Sequence, residues 1–274
     1  MTNPSATNIQ KYNGKTLPSA LHKISELLHG KTPAVFLDYD GCLSPIVKDP
    51  EMAVLTPEMR ETLQKLAEVC PVAVVSGRDR ANVEGLVKLD NLYFAGSHGF
   101  DISGPGNMHT EPGGAKAAIP ALDNAQVELN KLLTGVKGVL VERKRYAIAV
   151  HYRNVPDEQV QRVLDAAHEV LTRHKELKPG PGKKVLELKP NLDWHKGKAV
   201  RWLLAELDLN QPNIIPLYIG DDLTDEDAFA ELQGSGIGIL VGEHDEDTAA
   251  EYRLEDVEEV QAFLEALTLF VKKE

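Results

Sequence analysis

The chain has only two cysteines, Cys42 and Cys70, and neither belongs to a Cys-x-x-Cys pair or lies beside a His/Cys cluster. A disulfide framework and a zinc site therefore have no support, and a reducing compartment fits best. Basic residues are also short: 30 Lys plus Arg stand against 42 Asp plus Glu, a formal charge of −12. Such a surface repels nucleic-acid phosphates and anionic lipid, so neither nucleic acid nor membrane is expected as a partner. No apolar run approaches the length that spans a bilayer, and residues 1–7 lack the charged and apolar regions of a signal peptide. A soluble, cytoplasmic monomer is expected. Internal repeats and low-complexity tracts are missing too. What is present, 42% hydrophobic and 26% charged residues in a chain of 274, is the composition of a globular protein with a core large enough to fold unaided.

Residues 1–16 are polar and without apolar period, which predicts a flexible tail. Leu21, Ile24, Leu27 and Leu28 then recur at helical spacing before Gly30 and lead into the apolar run 34–37. Similar runs at 72–75, 92–95 and 215–219 each end in polar residues, as buried strands do. Helical patterns cover 57–69, 81–86, 196–207 and 225–232, and a last amphipathic helix covers 257–270. The two ends of the chain thus alternate strand and helix, the signature of an α/β doubly wound parallel sheet, whose ligands sit at the carboxyl ends of the strands. The middle differs. From 108 to 190 a Gly/Pro-rich lead-in precedes a helix over 121–133, strands over 139–142 and 146–152, a helix over 157–174, turn-rich 178–182 and a strand over 184–188. A core in two parts, 17–107 and 191–274, with an α+β insertion over 108–190, is the expected organisation.

The chemistry gathers just after the apolar runs. Asp38-Tyr39-Asp40-Gly41 follows the first, so two carboxylates project from one strand end. A lone Asp there would be a turn residue; a pair can share a pocket. Gly220-Asp221-Asp222-Leu223-Thr224-Asp225 follows the last, and although Asp225 suits a helix N-terminus, adjacent Asp221 and Asp222 need another reason. If these carboxylates meet Asp38, repulsion raises their pKa values unless a hard divalent cation offsets it, and oxygen ligands suit magnesium. Ser76 and Gly77, in Val-Val-Ser-Gly-Arg, offer a hydroxyl and close backbone N–H groups, a modest phosphate cradle. Lys196 opens an amphipathic helix, a position where most lysines are solvated. His98 and His195 are read as surface or core histidines, with no catalytic assignment.

The order Asp-x-Asp, Ser, Lys and Gly-Asp-Asp-x-x-Asp, each after its element, resembles the haloacid dehalogenase (HAD) superfamily of phosphohydrolases. The resemblance implies a HAD-like core with an inserted cap domain, Asp38 as nucleophile giving an aspartyl phosphate, and Asp40 as general acid then base. It implies magnesium held by Asp38, the Asp40 carbonyl and Asp221, with Asp222 and Asp225 on waters or in support, and phosphoryl oxygens bound by Ser76, Gly77 and Lys196. The chain is more closely similar to the trehalose-6-phosphate phosphatases, through Phe36-Leu37-Asp38-Tyr39-Asp40-Gly41, Gly96-Ser97-His98-Gly99, Val141-Glu142-Arg143-Lys144, His151-Tyr152-Arg153, Leu186-Glu187-Leu188-Lys189-Pro190 and residues 220–229. That implies a cap whose Glu142, Lys144 and Glu187 bond glucose hydroxyls of a sugar phosphate. His195 departs from the Asp frequent before the family's lysine. A fused synthase domain, common in the family, is not expected in this chain. Phosphatases of sucrose-, mannosylglycerate- or glucosylglycerate-phosphate share the core and remain alternatives. A phosphoacceptor signalling module is another, although such modules place their acidic pair first.

Overall fold

The computed structural model describes residues 11–12, 15–47, 50–182, 184–244 and 247–273. Of the expected tail, residues 1–10 and 13–14 lie outside the described residues, while β1 (Lys11–Tyr12) and β2 (Lys15–Thr16) pair as an antiparallel ribbon. The chain continues through α1 (Ile24–Leu28), β3 (Thr32–Leu37), α2 (Pro57–Ala67), β4 (Val72–Val75), α3 (Arg80–Val87), β5 (Tyr93–Gly96), β6 (Asp101–Gly104) and β7 (Met108–Thr110). There follow α4 (Ile119–Leu132), β8 (Leu140–Lys144), β9 (Ala147–His151), α5 (Asp157–Arg173), β10 (Leu177–Gly182) and β11 (Val185–Pro190). The last stretch is α6 (Lys196–Glu206), β12 (Ile214–Gly220), α7 (Leu223–Leu232), β13 (Ile237–Val241), β14 (Tyr252–Leu254) and α8 (Val257–Val271).

Eight strands form one large sheet in the order β14-β13-β12-β3-β4-β5-β6-β7, parallel from β14 to β5 and antiparallel beyond. Its central strands are apolar on both faces because both are covered. Along β3, Val35 and Leu37 enter the core shared with α1, α2 and α8, while Ala34 and Phe36 enter the one shared with α6 and α7. The period of two that divides a strand's side chains between faces thus serves two cores. Caps fix where the helices start: the Thr56 side chain accepts from Met59 N–H ahead of Pro57 at the start of α2, and Asp256 accepts from Glu259 N–H ahead of α8. Among the described residues no helix is long and apolar enough to cross a membrane.

A second, four-stranded antiparallel sheet runs β10-β11-β9-β8. One face carries Ile148, Val150 and Leu188, which bury against Leu122 and Leu129 of α4 and Val163 and Val170 of α5. The other face follows from the register. Glu142 of β8 and Glu187 of β11 are both paired with Ala149 of β9, so the two carboxylates flank one small residue, and Lys144 lies two residues along on the same side.

Two features differ from the sequence reading. Residues 178–182, expected as a turn, lie in β10, an edge strand where Pro179 and Pro181 cost the sheet no inner hydrogen bond. Met108–Thr110, expected to open the insertion, instead pairs with β6 in the large sheet, because Gly104, Pro105, Gly106 and Asn107 make a hairpin turn.

Candidate active site

Three polar residues stand one position beyond three apolar strands. Asp38 follows β3, Ser76 follows β4 and Asp221 follows β12, and the β12–β3–β4 adjacency brings all three to the carboxyl edge of the large sheet. Asp38 N–H donates to the Ile219 carbonyl at 2.9 Å, so the ladder continues one residue past the strand and fixes the Asp38 backbone beside Asp221.

Lys196 reaches this edge from the first position of α6. A cation at a helix N-terminus opposes the helix dipole, and the Lys196 side chain is 2% exposed, so the position is sustained by its partners. Nζ donates to Asp38 Oδ2 at 2.7 Å and to Asp225 Oδ1 at 2.8 Å. Asp225 is wholly buried and fully engaged: Oδ1 also accepts from Tyr218 OH at 2.5 Å, and Oδ2 accepts the N–H groups of Asp221 and Asp222 at 3.1 and 3.0 Å. It holds Lys196 and the start of α7 in place. Asp222 is exposed and is the N-cap of α7, in a capping box with Asp225.

Oxygens of Asp38, Asp221 and Asp225 lie within 4.8 Å of one another, a grouping able to hold a metal. Burial and the neighbouring carboxylates push the Asp38 carboxyl up to about 7, with Lys196 opposing, and push Asp221 up to about 8. Three ionised carboxylates against one ammonium would leave two formal negative charges at a largely buried site, the deficit a hard dication offsets through oxygen donors. Gly41 leaves the room: at φ +78°, a Cβ there would fall 2.0 Å from Asp221 Oδ2. A second grouping, Asp101, His109 and Glu111, is already neutralised by Arg80 on Asp101 at 2.9 Å and Arg145 on Glu111 at 2.9 Å.

Asp40 stands apart from that cluster. Its carboxylate accepts a bidentate pair from Arg78, Nε to Oδ2 at 2.7 Å and Nη2 to Oδ1 at 2.6 Å, while the guanidinium lies over the Tyr39 ring. Ser76 Oγ accepts the Arg78 N–H at 3.1 Å. Nothing in the sequence marks Arg78, although it directly follows Ser76-Gly77, because a lone arginine beside a turn reads as solvated surface.

The small sheet meets this edge. Lys144 and Glu187 pair at 3.0 Å and line one cavity with Gly77 and His98 of the large-sheet unit. Glu142 is on the same face but half exposed, bonded to His151 at 2.8 Å. The β8–β9 turn makes the joint: Asp79 accepts the Arg145 N–H at 3.1 Å, and Tyr146, 1% exposed, packs 5.8 Å from Phe100, which stacks on Trp194. None of these joint residues stood out in the sequence.

Comparison with known proteins agrees with this geometry. A haloacid dehalogenase-like hydrolase from Bacteroides thetaiotaomicron superposes with a TM-score of 0.63 at 15% identity, over 88% of this chain and all of that one. The C-terminal domain of the C. albicans trehalose-6-phosphate phosphatase superposes with a TM-score of 0.74 at 22% identity, over 93% of this chain and 99% of that one. The fold is that of the haloacid dehalogenase-like hydrolases. Residues 36–258 match the trehalose-phosphatase family. A trehalose 6-phosphate phosphatase of Zea mays is 43% identical over 91% of this chain and 74% of its own length. The chain belongs to the trehalose-phosphatase family. An uncharacterized glycosyl hydrolase of Mycobacterium tuberculosis is 46% identical over 92% of this chain, which spans only 20% of that protein.

Proposed function

We propose that this protein is a magnesium-dependent phosphatase that hydrolyses trehalose 6-phosphate to trehalose and phosphate through an aspartyl-phosphate intermediate. The observation that carries the reading is one juxtaposition: the Lys144–Glu187 pair of the small sheet lines a cavity with Gly77 and His98, and Gly77 directly follows Ser76, which stands with Asp38 and Asp221 at the carboxyl edge of the large sheet. One end suits a phosphoryl group and the other a polyhydroxylated leaving group.

In this reading Asp38 attacks phosphorus as the ester P–O bond breaks. A protonated Asp40 gives its proton to the departing sugar oxygen and, as the carboxylate that remains, takes one from the water that hydrolyses the acyl phosphate, so that Asp38 is restored. Arg78 aims the Asp40 carboxylate. Ser76, the Gly77 backbone and Lys196 bind the phosphoryl oxygens, where charge develops and fixed donors act most strongly. Asp38 and Asp221, with the Asp40 carbonyl, would hold magnesium, and Asp225 and Asp222 would support it by fixing Lys196 and α7. Bound there, the ion supplies charge neutralisation for the phosphoryl group. The small sheet with α4 and α5 acts as the cap, and Glu142, Lys144 and Glu187 bond glucose hydroxyls.

Phosphate release from a panel of sugar phosphates, with magnesium and then with EDTA, tests the whole reading. Trehalose 6-phosphate should be the best substrate, chelation should abolish turnover and magnesium should restore it. Preference for sucrose- or glycerate-linked phosphates would move the assignment within the sugar-phosphate phosphatases, and activity surviving exhaustive chelation would remove the metal.

A further inference from the structure

His98 lies in the turn between β5 and β6, where Ser97 and His98 adopt φ of 50° and 57° in succession. This left-handed backbone is costly for residues other than glycine, and it is held from three sides. The His98 N–H donates to the Ser76 carbonyl at 2.9 Å, the Ser97 N–H to the Arg78 carbonyl at 2.7 Å, and Ser97 Oγ to Asp79 Oδ1 at 2.9 Å. All three acceptors belong to the turn after β4 that begins with Ser76. The imidazole is thereby laid over Gly77: a Cβ on Gly77 would fall 2.9 Å from His98 Cε1 and 3.1 Å from Nε2. The same Nε2 also faces Glu187 Oε2 at 3.9 Å, close to Lys144. Burial lowers the pKa of the ring despite Glu187, which favours the neutral imidazole with one donor and one acceptor.

We propose that His98 is a specificity-determining residue that hydrogen-bonds the sugar hydroxyl nearest the phosphate-bearing carbon. The inference rests on the sugar-phosphate reading above and goes beyond it by assigning one substrate group to one side chain of the large-sheet unit. Contact with Gly77 places the ring beside the phosphate cradle, and the gap to Glu187 places it beside the sugar-binding row. The part of a hexose 6-phosphate that joins these two ends is C6 and its neighbour, the 4-hydroxyl. A neutral ring can donate to or accept from a hydroxyl, and it adds no charge to the phosphoryl group, so its contribution falls on recognition rather than on the chemical step.

The test compares kcat/KM of the magnesium-loaded wild type and His98→Asn on trehalose 6-phosphate and on its analogue deoxygenated at C4 of the phosphorylated ring. Asn tolerates positive φ but is too short to reach the same hydroxyl. The wild type should prefer the parent substrate about tenfold, and the variant's preference should fall close to one. His98→Gln, whose longer amide can still bond a hydroxyl, should regain part of it. A preference that persists in His98→Asn overturns the proposal, as does a wild type that does not distinguish the two substrates. Equal losses on both substrates in both variants would place His98 in the fold and overturn it as well. A wild type that hydrolyses an aryl phosphate but neither disaccharide phosphate would overturn the trehalose reading and this inference together.

Discussion

Asp38 carries the largest consequence of any single side chain. Asp38→Asn keeps the shape but only one acceptor oxygen, so it can accept from Tyr39 N–H or from Lys196 but not from both, and it loses the nucleophilic charge. Phosphate release should fall far beyond the tenfold that roughly 1.4 kcal/mol of barrier represents, and a smaller loss in steady-state assays would reject the role. The same carboxylates make stability depend on pH and metal. Asp38 near 7 and Asp221 near 8 both stand above their unfolded value of 3.8. Between pH 4 and about 8 the unfolded chain is therefore ionised at sites where the folded protein keeps protons, so metal-free stability should decline as pH rises through this window. Calorimetry in EDTA should show the melting temperature falling from pH 5 to 8. Magnesium should flatten the slope by binding the ionised form, and a metal-free melting temperature that rises across the window would contradict the charge balance drawn here.

Among the elements, the turn after β3 joins backbone geometry to the proposed metal position. Gly41→Ala meets two penalties, a positive φ of +78° and a contact 2.0 Å from Asp221 Oδ2, whereas Gly30→Ala, at φ +70° with nothing within 4 Å, meets only the first. Both should lose about 1 kcal/mol of backbone stability. Gly41→Ala alone should weaken magnesium binding, about tenfold or more, in titrations followed by melting temperature; equal magnesium responses in the two variants would mean the Asp221 contact is relieved without cost. The elements also divide into those legible in the sequence and those hidden from it. Strands such as Val72–Val75 are continuous apolar runs, and Asp38, Ser76 and Asp221 could be found because each is the first polar residue after one. The β10 strand was hidden by Pro179 and Pro181, which argue for a turn unless the strand is known to lie at an edge, and edge position is a tertiary property. Likewise the Arg78–Asp40 pair joins residues 38 apart, and no local pattern announces it. Lys144 and Glu187 came from resemblance; their meeting required the β8–β9–β11 register.

At the scale of the whole molecule, two units with separate cores share one small aromatic joint, Phe100, Ala115 and Tyr146, flanked by Trp194. Truncating a buried aromatic costs about 3–5 kcal/mol, and here the loss falls on the contact between units rather than within either core. Tyr146→Ala should therefore let them separate. Small-angle scattering should show a larger radius of gyration, and KM for the sugar phosphate should rise. A lower melting temperature with unchanged scattering would instead make Tyr146 an ordinary core residue.

The central pairing of the large sheet also sets a timetable for synthesis. Strand β3 pairs with β12, Thr32 beside Ile214, so the apolar edge of β3 on that side waits for almost the whole chain to leave the ribosome. At ordinary elongation rates of about 5–20 residues per second this is on the order of ten seconds or more, during which an unpaired strand is exposed to aggregation and to chaperones. The small sheet has no such delay. Its strands and helices lie between Ile119 and Pro190, its contacts are comparatively local, and it can form while Asp38 still lacks both Lys196 and Asp221. The nascent chain therefore carries the face that bears Lys144 and Glu187 before it carries the Asp38–Lys196–Asp221 cluster, and that cluster is completed in one step, when β12 slides in beside β3.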